Sequence, residues 1–171
     1  CAAPCFDRGG GILSCKGGSG RSKILPGIAR FFSERGLIMK TKLTTLLGIE
    51  HPILQGAMAW VSDARMAAAV SAAGGAGIIA GGGREGAWVR EQIRLAKSLT
   101  AKPFGVNVPL LSPTKDEVIE VICEEKVAFV TTGAGNPVPY FPKFRQAGIK
   151  IIPVVPNARL AQRVEANGAD A

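Results

Sequence analysis

From Ile53 onward the chain alternates short apolar runs with longer amphipathic stretches, and this rhythm limits the fold more than any other feature of the sequence. Candidate strands begin near Ile53, Ala76, Phe104, Val127 and Ile149, at spacings of 23, 28, 23 and 22 residues. A helix is predicted after each of them, over residues 64–73, 85–99, 115–125, 140–147 and 158–167. Asp63 and Thr114 are placed as N-caps, and Gly74, Gly148 and Gly168 lie just past helix ends. The strands are continuous apolar runs, the pattern produced when a parallel sheet is covered on both faces. Strands alternating with helices of this length form right-handed crossover units, so the fold class is α/β.

Two architectures use such units: an open doubly wound sheet and a closed eight-unit barrel. An open sheet is expected to carry one dominant phosphate-binding turn, usually after its first strand. The first turn here is Gly56-Ala-Met-Ala-Trp-Val-Ser-Asp, which lacks the Gly-x-Gly-x-x-Gly spacing, and so does Gly81-Gly-Gly after the second strand. That triglycine reads equally as a mobile connection or a ligand-facing loop. The even spacing favours a parallel (β/α)8 TIM barrel. Such a barrel needs about 250 residues, so residues 39–171 are expected to hold its first five units.

The formal charge of +8 raises nucleic acid or an anionic surface as a partner, but half of it sits in the first 38 residues. There Arg8, Lys16, Arg21, Lys23, Arg30 and Arg35 face only Asp7 and Glu34. This stretch also holds Cys1, Cys5 and Cys15, glycine clusters and no sustained periodicity. It is read as a non-homologous leader, disordered or an artefact of upstream translation, joined to a protein that starts at Met39. A secretory signal is disfavoured because Pro26, Gly27 and Arg30 interrupt its only apolar run. The three cysteines lack a Cys-x-x-Cys pair or neighbouring histidine, so no metal site is assigned. Gly17-Gly-Ser-Gly-Arg-Ser lacks the Gly-Lys-Ser/Thr ending of a phosphate loop. No run approaches the roughly 18 apolar residues of a membrane span, and no nucleic-acid fold accompanies the basic residues. The expectation is a cytoplasmic protein with no membrane and no nucleic-acid partner.

Beyond Met39, specific motifs follow one another. Gly48-Ile-Glu-His-Pro-Ile-Leu-Gln-Gly-Ala-Met-Ala-Trp-Val-Ser-Asp-Ala leads into Met66-Ala-Ala-Ala-Val-Ser-Ala-Ala-Gly-Gly-Ala-Gly-Ile-Ile. Lys102-Pro-Phe-Gly-Val-Asn-Val, Thr131-Thr-Gly-Ala-Gly-Asn-Pro and Ile151-Ile-Pro-Val-Val-Pro come after them. This series resembles the flavin-dependent enoyl-acyl-carrier-protein (enoyl-ACP) reductases of the nitronate monooxygenase (2-nitropropane dioxygenase-like) superfamily, from Met39 to Ala171. The resemblance implies an FMN-binding barrel in which NADH or NADPH reduces the flavin, which then reduces the double bond of an enoyl thioester in fatty-acid synthesis. It implies an acyl-carrier-protein-linked or small-molecule substrate and allows a homodimer. The alternatives are a nitronate monooxygenase, which oxidises alkyl nitronates with oxygen, and a non-catalytic truncated fragment. Trp60 and the Gly133-Ala-Gly-Asn-Pro turn favour the reductase branch by the same resemblance.

The resemblance places cofactor contacts at Gly56, Ala57, Met58, Asn107 and Thr132, and a substrate pocket at Gly133 and Asn136. Residues 56–58 end the first strand, where a slim backbone lets an isoalloxazine ring approach; Met58 packs on the ring or fills core. Asn107 is an amide in an apolar strand, and a buried amide must find partners. Thr131 and Thr132 serve the site or cap the following turn. His51 precedes the first strand, at the end opposite barrel active sites. The family's catalytic histidine belongs to a Gly-Gly-His segment after the sixth strand, so no catalytic residue is expected in this chain. Cys123 reads as a small apolar residue rather than a nucleophile, and Glu124 and Glu125 as a solvated face.

Overall fold

The computed structural model describes residues 39–171; the leader lies outside the described residues. The first element, α1 (Lys42–Leu47), opens on a reciprocal cap in which the Thr44 amide donates to Thr41 Oγ1 (3.1 Å) and the Thr41 amide to Thr44 Oγ1 (2.9 Å). After it come α2 (Ala64–Ala72), β1 (Gly77–Ala80), α3 (Gly86–Leu99), β2 (Phe104–Pro109) and α4 (Lys115–Glu125). The chain continues with β3 (Phe129–Gly133), a 3-10 turn (Val138–Tyr140), α5 (Phe141–Gln146), β4 (Lys150–Pro153) and α6 (Ala158–Ala166).

The four strands form one parallel sheet in the order β1-β2-β3-β4. Spatial order that follows chain order, with no reversal, is the arc of a barrel and not the switch-point arrangement of a doubly wound sheet. The two faces of the sheet are packed differently. Ile79, Val106, Val130 and Ile151 pack beneath residues of α2 to α6, among them Ala67, Val89, Ile93, Ile122, Phe144 and Val164. Ile78 and Phe129 face the other way, with Leu47 and Ile49 of the α1 segment packed against them. All the crossover helices thus lie on one side, and α1 closes the N-terminal end of the concave side.

Close approach is built on small residues. A Cβ on Gly77 would lie 1.9 Å from the Ala67 carbonyl oxygen, so the α2 backbone rests directly on β1. One on Gly105 would lie 2.5 Å from the Phe129 ring, so that ring fills the space above Gly105.

Most of the predicted elements are present, with three corrections. The first predicted strand is only an isolated parallel bridge between Leu54 and Ala76, because side chains take over the pairing beyond it, as described below. Thr114 precedes α4 without a side-chain cap; its hydroxyl lies 3.0 Å from Ser112 Oγ instead. Glu125 is no solvated carboxylate, since its side chain is only 11% exposed and gathers Arg90, Arg94 and Lys97 from α3. Asp63 does cap α2, accepting from the Met66 amide (2.9 Å), and Gly74, Gly148 and Gly168 take the positive φ expected past helix ends.

Burial pushes the Glu125 carboxyl up, but hydrogen bonds and charge from Arg94 and Lys97 outweigh it and leave the group below the usual carboxylate range. A lowered folded value adds stability above the ordinary carboxylate range, which is lost as pH falls through the folded value. Glu125→Gln is expected to cost on the order of 1–2 kcal/mol near pH 7 and much less near about pH 3, by urea denaturation at both values. An equal cost at the two values would contradict the ionic origin of this contact.

Candidate functional site

The strand register sorts the concave face into tiers. Ile78, Gly105 and Phe129 share one tier, an apolar floor with the exposed Lys150 paired at its β4 edge. One step toward the C-terminal ends, Ala80, Asn107, Thr131 and Ile152 are paired neighbours. Beyond them Pro109 pairs with Gly133 at the rim.

Asn107 and Thr131 form the polar centre of the second tier. Asn107 Nδ2 donates to Thr131 Oγ1 at 2.9 Å, with a longer contact to the Thr131 carbonyl at 3.4 Å. Thr131 is buried, whereas Asn107 is half-exposed, and among the described residues its Oδ1 accepts no hydrogen bond. An amide with one side tied down and the other open is an oriented donor and acceptor for a planar heterocycle. Space above it is kept by small residues: nothing lies within 4 Å of where a Cβ on Gly56 would be, and only Val154 Cβ, at 3.9 Å, near that of Gly133.

Residues 56–58, expected to line a cofactor, follow the bridge at Leu54 on this same rim, with Met58 42% exposed and Ala57 half-buried. Their position depends on Gln55. The Gln55 amide donates to the Ala76 carbonyl (2.9 Å), and its side chain then continues the ladder by accepting from the Ile78 amide at 3.2 Å. Nε2 also reaches the Ser62 hydroxyl at 2.7 Å and the Gly56 carbonyl at 2.8 Å. Ser62 in turn accepts from the Met58 amide (2.9 Å), and its carbonyl takes the Ala80 amide (2.9 Å). The edge of β1 is thereby satisfied without a regular strand beside it.

Thr132 departs from expectation. Successive strand residues point to opposite faces, so it lies on the helix-facing side beside Val108, and its Oγ1 is buried without a hydrogen-bond partner. Thr131 is the threonine that shares the face of Asn107; counting register from Asn107 would have selected it. Gly133 sits at the rim and its carbonyl accepts from the Leu110 amide (2.8 Å). Asn136 is exposed in the following turn, where its Oδ1 accepts from the Val138 amide (3.3 Å). It lines a cavity of about 610 Å³ with Val154, Leu160, Arg163 and Val164 between the turns after β3 and β4.

The rim also holds a group that hydropathy did not reveal. The Arg84 guanidinium lies 4.1 Å from the Trp60 ring centre and 4.3 Å from that of Trp88. Elsewhere, His51 is an exposed residue whose amide donates to the Gly74 carbonyl at the N-terminal end, and burial pushes the Cys123 thiol up, away from nucleophilic duty. No group of three or more potential metal ligands occurs among the described residues, and no helix there is long and apolar enough to cross a membrane.

An arc of a parallel α/β barrel with a polar pair at the C-terminal ends of its strands is the frame of a barrel enzyme. The nitronate monooxygenase family profile matches residues 40–118. Among solved structures, FabK from Thermotoga maritima superposes with a TM-score of 0.74 at 49% identity over 76% of this chain and 42% of its own. A (3aS,4S,5R,7aS)-5-hydroxy-7a-methyl-1-oxo-octahydro-1H-indene-4-carboxyl-CoA dehydrogenase from Mycobacterium tuberculosis is 35% identical over 78% of this chain and 38% of its own. The nitronate monooxygenase of Paraburkholderia phytofirmans is 32% identical over 77% and 47% respectively. In sequence and fold the chain is thus similar to the nitronate monooxygenase superfamily, whose profile covers residues 40–118. It spans about two fifths of the length of FabK and of the CoA dehydrogenase.

Gln55 is the residue on which the site's shape most depends. Gln55→Leu removes the acceptor of the Ile78 amide and one of the two donors to the Ser62 hydroxyl, and is expected to cost about 2–3 kcal/mol in a urea titration. A cost below about 0.5 kcal/mol would show that the edge of β1 is held by other means.

Proposed function

We propose that residues 39–171 supply the first part of an FMN site in an NAD(P)H-dependent oxidoreductase that reduces the double bond of enoyl-ACP or related enoyl thioesters. The observation that carries this reading is the Asn107–Thr131 pair: an anchored amide, open on one side, at a glycine-bounded rim above an apolar floor. The residues present fit a flavin. Its ring edge alternates hydrogen-bond donors and acceptors that the Asn107 amide complements, and its flat body needs the slim backbone at Gly56, Ala57 and Gly133. Met58, apolar and exposed on the same rim, is suited to lie against a ring face.

When bound, FMN supplies hydride transfer between a nicotinamide and a carbon centre. The chain's own part is orientation. Thr131 fixes the Asn107 amide, Ser62 fixes residues 56–58, and the floor of Ile78 and Phe129 excludes water from below. The apolar cavity beside Asn136 is suited to an acyl chain or another apolar substrate portion.

The thioester reading draws support from two relatives: FabK, an enoyl-ACP reductase, and a dehydrogenase whose substrate is a CoA thioester. Nitronate oxidation is the second reading, supported by the family profile and the Paraburkholderia relative. The two separate by NAD(P)H consumption with crotonyl thioester against oxygen uptake with an alkyl nitronate; turnover of the nitronate alone would reject the first. For the site itself, Asn107→Ala is expected to weaken FMN binding by about tenfold, read by flavin fluorescence with circular dichroism confirming the fold. Unchanged affinity in the folded variant would remove Asn107 from the cofactor site.

A further inference from the structure

We propose that Arg84 is a phosphate-recognition residue, placed at the rim to hold a phosphate group of a carrier arm or dinucleotide while the reacting end reaches the site below. Three observations carry this. First, Arg84 is held by stacking instead of by pairing. Arg90, Arg94, Lys97, Lys102, Lys115, Lys143 and Lys150 all meet carboxylates, whereas Arg84, like Arg65, Arg159 and Arg163, forms neither an ion pair nor a side-chain hydrogen bond among the described residues, and unlike those three it lies over two indole rings. Glu85, its chain neighbour, and Glu117, which packs on Gly86, are not paired with it. Aromatic rings packed on a guanidinium leave the N–H donors at its edge, the geometry that grips a phosphate bidentately.

Second, the stack depends on an unfavourable backbone conformation. Trp60 has φ +67°, a left-handed conformation that costs a bulky residue free energy, yet the residue is 72% exposed and fills no core. The neighbouring turn is fixed by Ser62, whose amide donates to the Met58 carbonyl (2.9 Å) and whose hydroxyl accepts from the Met58 amide. This strained placement brings the Trp60 indole over Arg84.

Third, the approach is open. Gly83 adjoins Arg84 with φ +69° and nothing within 4 Å of where its Cβ would lie, and α3 begins just beyond without a side-chain cap from Glu85. Gly81 and Gly82 pack against Asn107 and Pro109, so Gly83 alone presents a bare backbone beside the stacked cation at the end where the strands terminate.

The inference rests on the reductase reading only for the identity of the phosphate carriers: the thioester's pantetheine arm or the nicotinamide dinucleotide. Its test does not pass through turnover, so the two fail separately. Trp60 and Trp88 are the chain's two tryptophans, which makes intrinsic emission a local probe. The flavin-free 171-residue chain is titrated with 4′-phosphopantetheine and with ADP-ribose, using pantetheine and adenosine as phosphate-free controls. A saturable emission change with at least one phosphate probe, and none with its control, is expected. Arg84→Met should weaken that binding about tenfold, and Arg84→Lys should restore it only in part because an ammonium lacks the planar fork. Tighter binding of 4′-phosphopantetheine assigns the site to the carrier arm, and tighter binding of ADP-ribose to the reductant. Equal responses to a phosphate probe and its control would overturn the proposal. So would an Arg84→Met chain, folded by circular dichroism, that titrates like the parent.

Discussion

The register of the four parallel strands is the constraint on which the rest of the structure depends. Because strand side chains alternate, a shift of one residue would exchange the concave and helix-facing sets entirely. Two glycines exclude such a shift sterically. Gly77 admits the Ala67 backbone and Gly105 admits the Phe129 ring, and each contact is too close for any side chain. With these contacts fixed, Ile78 and Phe129 form a floor, Asn107 and Thr131 meet one tier higher, and Gly133 opens the rim. The polar pair is a consequence of packing below it.

A second dependence runs along the edge of β1. A sheet edge whose amides lack partners is costly when buried, and here Gln55 and Ser62 supply them from a segment that is not itself a strand. The same two side chains hold residues 56–58 and lead into Trp60. Stability of the edge and shape of the rim are therefore properties of one hydrogen-bonded unit.

Much of the architecture was legible because burial on both faces leaves a strong signature: continuous apolar strands at even spacing. Asp63 was legible as a cap because its chemistry is local. Ile53 and Leu54 have strand composition, and only tertiary context shows that a glutamine side chain replaces the ladder after a single bridge. Thr131 and Thr132 look alike in a linear motif but face opposite sides of the strand, and only Thr131 shares the face of Asn107. Glu125 read as solvated because its three cationic partners lie on another helix. The stack on Arg84 left no linear signal, as it joins residues 60, 84 and 88 through a left-handed Trp60.

The central claim is that the concave C-terminal edge of this sheet, and no other surface, receives a flavin. Amide hydrogen exchange with and without FMN tests it most directly, because it locates the bound group along the backbone. Added protection is expected at residues 56–58, 107–109 and 131–133, with none at the opposite end around His51, Gly74 and Lys102. Saturable FMN binding that protected the opposite end, or left the rim unchanged, would contradict it.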